Sequence, residues 1–245
     1  MSSKTTIMVE GGKRLGHIKR LLAEAVKVGV TPLEIDSLAD KLIRENGDKA
    51  NFKGVDGYRY TTCINVNAGI VHGIPTSKPF KDGDVVKVDV GLFHQGYHLD
   101  TSTTIQVGTK DPQVTKFLEV SQKALESAIF QATAGNTAYD LGLAMQTVTE
   151  TGGYTVIRDL TGHGIGRELH MKPYIPCYAD ARSKQDVLSV DQTIAIEIMS
   201  SMGDYHLIEE PDGWTLSTQD GSITAMYEET VCITEAGPLI LTKLN

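Results

Sequence analysis

The stretch Val85-Val-Lys-Val-Asp-Val-Gly-Leu-Phe-His-Gln-Gly-Tyr-His-Leu-Asp-Thr-Ser-Thr-Thr-Ile-Gln-Val107 reads as a β-hairpin. Strands are expected over Val85 to Phe93 and Tyr97 to Val107, with a turn at His94-Gln95-Gly96. Val86, Val88, Val90 and Leu92 share one face, so period-two geometry puts Asp89 on the other. The same odd-even relation carried round the turn places Asp100 directly or diagonally opposite Asp89, with about 5 to 8 Å between Cβ atoms. Two carboxylates that close inside a sheet repel one another and lose hydration. A proton or a cation must compensate them.

Outward from the hairpin, the same device recurs. Ile194, Ile196 and Ile198 leave Glu197 on the opposite face of its strand, and Val231 and Ile233 share parity with Glu229, which leaves Glu228 on the face without the β-branched stripe. Ahead of the hairpin, Leu15, Ile18, Leu21, Leu22 and Ala25 mark a helix that stops by Gly29. Thr31, Pro32 and Glu34 then form a capping box for a second helix reaching Asn46-Gly47. The order repeats after it. A helix is expected from Pro112 to near Gly135, another from Thr137 with Asp140 to Gly152-Gly153, and strands over Thr155 to Leu160, Gln192 to Ser200 and Ile223 to Thr234. Gly29-Val-Thr31 matches Gly135-Asn-Thr137, and His72-Gly-Ile-Pro75 matches His170-Met-Lys-Pro173. The expectation is one domain over 1–245 with an internal repeat, roughly 10–108 and 111–240, whose two halves present their acids to one central site.

A lone strand aspartate is ordinarily a solvated edge residue, but four acids on corresponding faces carry a charge of −4 that two divalent ions would cancel. Carboxylate oxygens with one imidazole suit such ions, and bridging carboxylates hold a pair roughly 3.5 to 4 Å apart. His163 stands out among the histidines because Gly162, Gly164 and Gly166 clear the space around it. Gly162-His-Gly-Ile-Gly166 is not a dinucleotide loop, since a further glycine is missing and Lys172-Pro173 arrives too soon for a helix. The chain has 245 residues, 40% hydrophobic content and a net charge of −8, with lysines and arginines scattered apart from Lys13 to Arg20, which argues against nucleic-acid specificity. Cys63, Cys177 and Cys232 are too few for a disulfide framework or a zinc module. Met1-Ser-Ser-Lys-Thr-Thr lacks an apolar core, and nowhere do eighteen uncharged apolar residues run together, so a cytoplasmic protein with no membrane contact is expected.

Val71-His-Gly-Ile-Pro75, Val88-Asp-Val90, Leu99-Asp-Thr-Ser102, Thr161-Gly-His-Gly-Ile-Gly166, Ile196-Glu-Ile198 and Tyr227-Glu-Glu-Thr230 together resemble the type I methionine aminopeptidases. The resemblance implies the α+β pita-bread fold, two pseudo-symmetric halves with a curved antiparallel sheet flanked by helices. It implies two divalent metal ions (Mn, Co, Fe or Zn): Asp89 on one, Asp100 and Glu228 bridging both, His163 and Glu197 completing the second. Glu197 would also shuttle the proton, His170 would contact the substrate carbonyl, and His72 the scissile nitrogen or the leaving group. The side-chain pocket falls to Tyr58, Cys63, Leu169 and Trp214, the last in the polar loop Gly203 to Gly221. Leu169 stands where bacterial relatives often carry an aromatic residue, and Gly57-Tyr-Arg-Tyr60 is shorter than the family's stretch. The implied activity removes N-terminal methionine from nascent proteins and peptides, preferably before a small second residue, by a monomer with transient ribosome association. The alternatives are an X-Pro peptidase, whose relatives usually carry an extra N-terminal domain, and a non-catalytic peptide binder, whose relatives typically lose metal ligands.

Overall fold

The first apolar stripe, Leu15, Ile18 and Leu22, is fully buried on helix α1 (Ser3–Ala25), which is capped by the Ser2 hydroxyl accepting from the Thr5 amide. This is a computed structural model, and it describes residues 2–243. Helix α2 (Pro32–Glu45) carries the capping box read from sequence: the Thr31 hydroxyl accepts from the Glu34 amide at 3.2 Å, and the Glu34 carboxylate accepts from the Thr31 amide at 2.8 Å. Replacing Thr31 with Ala removes one half of that exchange and is expected to lower stability by about 1 kcal/mol. The check is a lower urea midpoint at an unchanged slope.

Strands β1 (Lys49–Ala50), β2 (Thr62–Val66) and β3 (Gly69–Val71) lead into the hairpin of β4 (Val85–His94) and β5 (Tyr97–Gln106). Helices α3 (Pro112–Gln131) and α4 (Ala138–Thr151) follow, then β6 (Thr155–Val156), β7 (Thr161–Gly164), β8 (Met171–Pro176), β9 (Thr193–Ser201), β10 (Leu207–Glu209), β11 (Leu216–Thr218), β12 (Thr224–Thr234) and β13 (Gly237–Ile240). The main sheet runs β1-β4-β5-β12-β9-β7-β8, every pair antiparallel, with β2 added to β4, β6 to β9 and β13 to β12. A small second sheet, β10-β11-β3, stands beside it.

Two apolar cores lie under the helices. One joins α1 and α2 to Val86, Val88, Val90, Leu92 and Leu99, and the other joins α3 and α4 to Ile194, Ile196, Ile198, Val231 and Ile233. The β-branched stripes therefore face the helices. The alternate positions of β4, β5, β9 and β12 face away from them, and that leaves the acids on the open face of the sheet.

The run Thr155 to Leu160 is not one strand, contrary to its apolar pattern. Only Thr155–Val156 is strand, β6, pairing with the far end of β9 at Ser200 and Ser201; after the bend at Arg158-Asp159 the next strand, β7, starts at Thr161 and pairs with β9 at Ala195 and Ile194. Arg158 leaves the strand line to lie over the rings of Tyr178 and Tyr205 at 5.5 and 5.0 Å. The helix expected to run from Pro112 to near Gly135 ends at Gln131, and Gly135, at φ +94°, belongs to the turn that follows. The polar loop Gly203 to Gly221 likewise holds β10 and β11, which form because β3 offers them a partner edge.

Candidate metal centre

Strand register aligns the acids. Asp89 pairs with Ser102, Ser102 with Glu228, and Glu228 with Glu197, so a single row crosses β4, β5, β12 and β9. Neighbouring strands are about 4.8 Å apart, which keeps successive side chains of the row within reach of one another. Asp100 sits two residues before Ser102 on the same face, diagonal to Asp89 across the pairing of Gly91 with Asp100. His163 pairs with Ala195, two residues from Glu197, and so joins the row from β7. Asp89, Asp100, His163, Glu197 and Glu228 are all buried and line one cavity of about 390 Å³. Donor atoms of Asp100, His163 and Glu228 lie within 4.8 Å of one another; Asp89 and Glu197 share the cavity outside that closest group.

Two glycines clear the space this requires. A Cβ on Gly162 would sit 2.6 Å from the Ala195 carbonyl and 3.4 Å from Glu197 Cγ, and one on Gly91 would sit 2.9 Å from an Asp100 carboxylate oxygen. Glu229, one residue from Glu228, faces the other way. Its carboxylate is 2.6 Å from the Lys19 ammonium of α1, and Thr101 Oγ1 lies 2.8 Å from the same ammonium. Parity thus assigns the two adjacent glutamates, one to an ion pair beneath the sheet and one to the cavity.

The electrostatics of the cavity call for a cation. Among the described residues no lysine or arginine lines it. Burial raises the Asp89 carboxyl to about 7. Burial and then repulsion from Asp89 push Asp100 and Glu197 well above the usual range, and burial and then Asp100 do the same to Glu228. Asp89 Oδ1, Ser102 Oγ and Glu228 Oε2 are buried without a hydrogen-bond partner in the protein. Burial lowers His163 to about 4, which makes it a neutral imidazole at neutral pH. Its Nδ1 is 2.9 Å from the Gly164 carbonyl, an oxygen that can only accept, so Nδ1 carries the proton and Nε2 keeps its lone pair. Orphaned carboxylate oxygens with a neutral imidazole match the donor set of a divalent metal site.

Around this centre the other sequence-derived residues converge. His170 stacks edge-on with His163 at 4.6 Å, and His72 lines the same cavity at a backbone φ of +58°. Burial lowers the pKa of both histidines, and His170 lowers that of His72 further. Tyr58, Cys63 and Leu169 form an apolar cluster with Phe52, Ile165 and Ala195, closed by Trp214 edge-on to Tyr58 at 5.1 Å. The Tyr58 hydroxyl is 2.9 and 3.0 Å from the carbonyls of Thr62 and Gly73. Cys63 is held as a neutral thiol by burial and by Asp89. Phe52, Met199 and Met226 also line the cavity and escaped the sequence reading. The two methionines stand two residues from Glu197 and Glu228, so period two would have found them.

The sequence model of metallopeptidase family M24 matches residues 7–235. The chain is 37% identical over 239 residues to the methionine aminopeptidase of Clostridium perfringens, covering 98% of this chain and 96% of that one. In three dimensions it matches the crystal structure of the methionine aminopeptidase of Thermotoga maritima with a TM-score of 0.95 at 39% identity, over 99% and 98% of the two chains. It matches the Xaa-Pro dipeptidase of Bacillus anthracis with a TM-score of 0.74 at 22% identity, over 99% of this chain and 61% of that one. The second likeness is one of fold, the α+β pita-bread arrangement.

Proposed function

The chain belongs to metallopeptidase family M24, and from that premise we propose that it removes N-terminal methionine from peptides and nascent chains, preferably before a small second residue. The observation that carries the reading is the convergence, in one cavity, of the Asp100, His163 and Glu228 donor atoms with the apolar residues Tyr58, Cys63, Leu169 and Trp214. Asp89 would hold one of two divalent ions, Asp100 and Glu228 would bridge both, and His163 with Glu197 would complete the second. Manganese, cobalt, iron and zinc all suit these ligands. Once bound, the ions would bring the pKa of water toward neutrality and stabilise charge on the carbonyl oxygen.

The remaining work belongs to the protein's own groups. Glu197, on the cavity face of β9, accepts the proton released in the attack and passes it to the leaving amine. His170 and His72 are neutral, so each can donate one N–H, His170 to the substrate carbonyl oxygen and His72 to the scissile nitrogen or the leaving group. The cluster of Tyr58, Cys63, Leu169 and Trp214 offers soft apolar surface to a thioether and excludes water from it. No helix among the described residues is long and apolar enough to cross a membrane. The reading places the enzyme in the cytoplasm as a monomer meeting chains as they leave the ribosome.

Replacing His170 with Ala is expected to lower turnover by about 100 to 1,000-fold, the range of one lost transition-state donor, while bound metal stays at the wild-type level. Elemental analysis beside peptide kinetics checks it, and loss of metal would move His170 into the ligand set. The reading as a whole is tested with manganese-loaded protein on Met-Ala-Ser and on Ala-Pro peptides. Release of methionine alone supports it; cleavage of the Ala-Pro bond alone would favour the X-Pro reading.

A further inference from the structure

Lys87 is among the bulkiest fully buried side chains of the described residues, and it is the one titratable group among those. It lies on β4 two residues before Asp89, facing Asn65 and Thr104 across the sheet. Its Nζ donates to the Asn67 carbonyl at 2.7 Å and to the Val85 carbonyl at 3.3 Å. Neither oxygen depends on it. The Val85 carbonyl already accepts from the Asn67 amide at 2.8 Å, and the Asn67 carbonyl from the Thr224 amide at 3.0 Å. Hydrogen-bond satisfaction would be met by an apolar residue at this position, yet the strand buries an amine there.

What the amine grips is the turn between β2 and β3. Asn67, at φ +53°, has its side-chain amide 3.0 Å from Asp84, and Thr224 Oγ1 lies 3.0 and 2.8 Å from the carbonyls of Asn67 and Gly69. From Gly69 the chain runs through the three residues of β3 straight into His72. His72 has φ +58°, a conformation that side chains other than glycine rarely hold unless both flanks are fixed. The flank after it is fixed, because the Gly73 carbonyl accepts from the Ile64 amide at 2.9 Å and the Tyr58 hydroxyl at 3.0 Å. The flank before it pairs with β11 at Gly69 and Val71, and it begins at the turn where Lys87 adds its bond to those between Asn67 and Val85.

We propose that Lys87 is a positioning residue for the reaction: by tying the Asn67–Gly69 turn to the strand that carries Asp89, it sets where His72 stands relative to the metal centre. The inference rests on the function proposed above. An amine donates whether or not it carries a charge, so the clamp works in either protonation state.

The test uses Lys87→Ala in the 245-residue, manganese-loaded protein on Met-Ala-Ser. The expected result is a loss of up to about a hundredfold in kcat, the cost of a misplacement of about 1 Å caused by a change away from the chemistry, with bound metal and KM unchanged. n-Propylammonium, which reproduces the three carbons and the amine that the substitution removes, is expected to restore turnover. In a double-mutant cycle the loss should vanish when His72 is already Ala. Lys87→Met, which keeps the length and removes the donor, gives the same reading if the Ala variant does not fold. Wild-type kcat in Lys87→Met, a loss that adds in full to His72→Ala, or a loss of metal from the Lys87 variants would each overturn the inference alone. A wild-type protein silent on the peptide would overturn the functional reading, and the inference with it.

Discussion

Asp100→Asn and Glu228→Gln are each expected to remove activity and metal together. Each side chain is buried in the cavity, each places a carboxylate oxygen within 4.8 Å of the other and of His163, and each is proposed to bridge both ions. An amide is isosteric with the carboxylate, so the fold is kept while one unit of negative charge is lost from the cluster. A divalent ion contributes several kcal/mol of charge stabilisation to such a reaction. At 1.36 kcal/mol per decade, that corresponds to a fall of about a thousandfold or more in kcat/KM. Elemental analysis and peptide kinetics on the same preparation check it; wild-type turnover in either variant would contradict the assignment.

The second large effect concerns the protein without metal. Burial raises Asp89 from 3.8 to about 7, and burial with mutual repulsion raises Asp100, Glu197 and Glu228 well above their ordinary values. In the unfolded chain these groups titrate near 4. Between the two, the folded state binds more protons than the unfolded state, so stability is full below about pH 4 and is lost as pH rises through the folded values. Each such group contributes about 1.4 kcal/mol per pH unit across its window. Chelated protein is therefore expected to melt at progressively lower temperature from pH 5 to pH 8. Metal prefers the ionised ligands, so the gap in Tm between loaded and chelated protein should widen over the same range. Thermal scans with and without chelator at several pH values check it, and a flat or rising Tm in the chelated protein would contradict the account.

Much of this site is legible in the sequence alone. Alternation alone put Asp89, Glu197 and Glu228 on the face away from the β-branched stripes, and separated Glu228 from Glu229, because side-chain direction in a strand depends only on local geometry. The capping box at Thr31 and Glu34 is equally local. What alternation could not supply was register. The hairpin turn brings Asp89 opposite Ser102, but only pairing between distant strands decides that Glu228 and Glu197 fall in the same row. The break at Arg158-Asp159 was hidden for the same reason, since β6 and β7 are set by two separate contacts with β9. Lys87 shows a further limit. Its parity with Asp89 could be counted, but nothing in the neighbouring residues says that a lysine on that face is sealed beneath the turn at Asn67. The division of the chain into two related halves remains a proposal resting on the repeated order of two helices followed by paired acid-bearing strands.

The central claim is that a metal held by the carboxylate cluster makes this protein release N-terminal methionine. It is tested most directly by following free methionine from Met-Ala-Ser with protein stripped of metal, and again after manganese, cobalt or zinc is added back singly. The account predicts no release from stripped protein and recovery with at least one ion in proportion to the metal bound. Undiminished release from stripped protein, or silence with every ion, would contradict it.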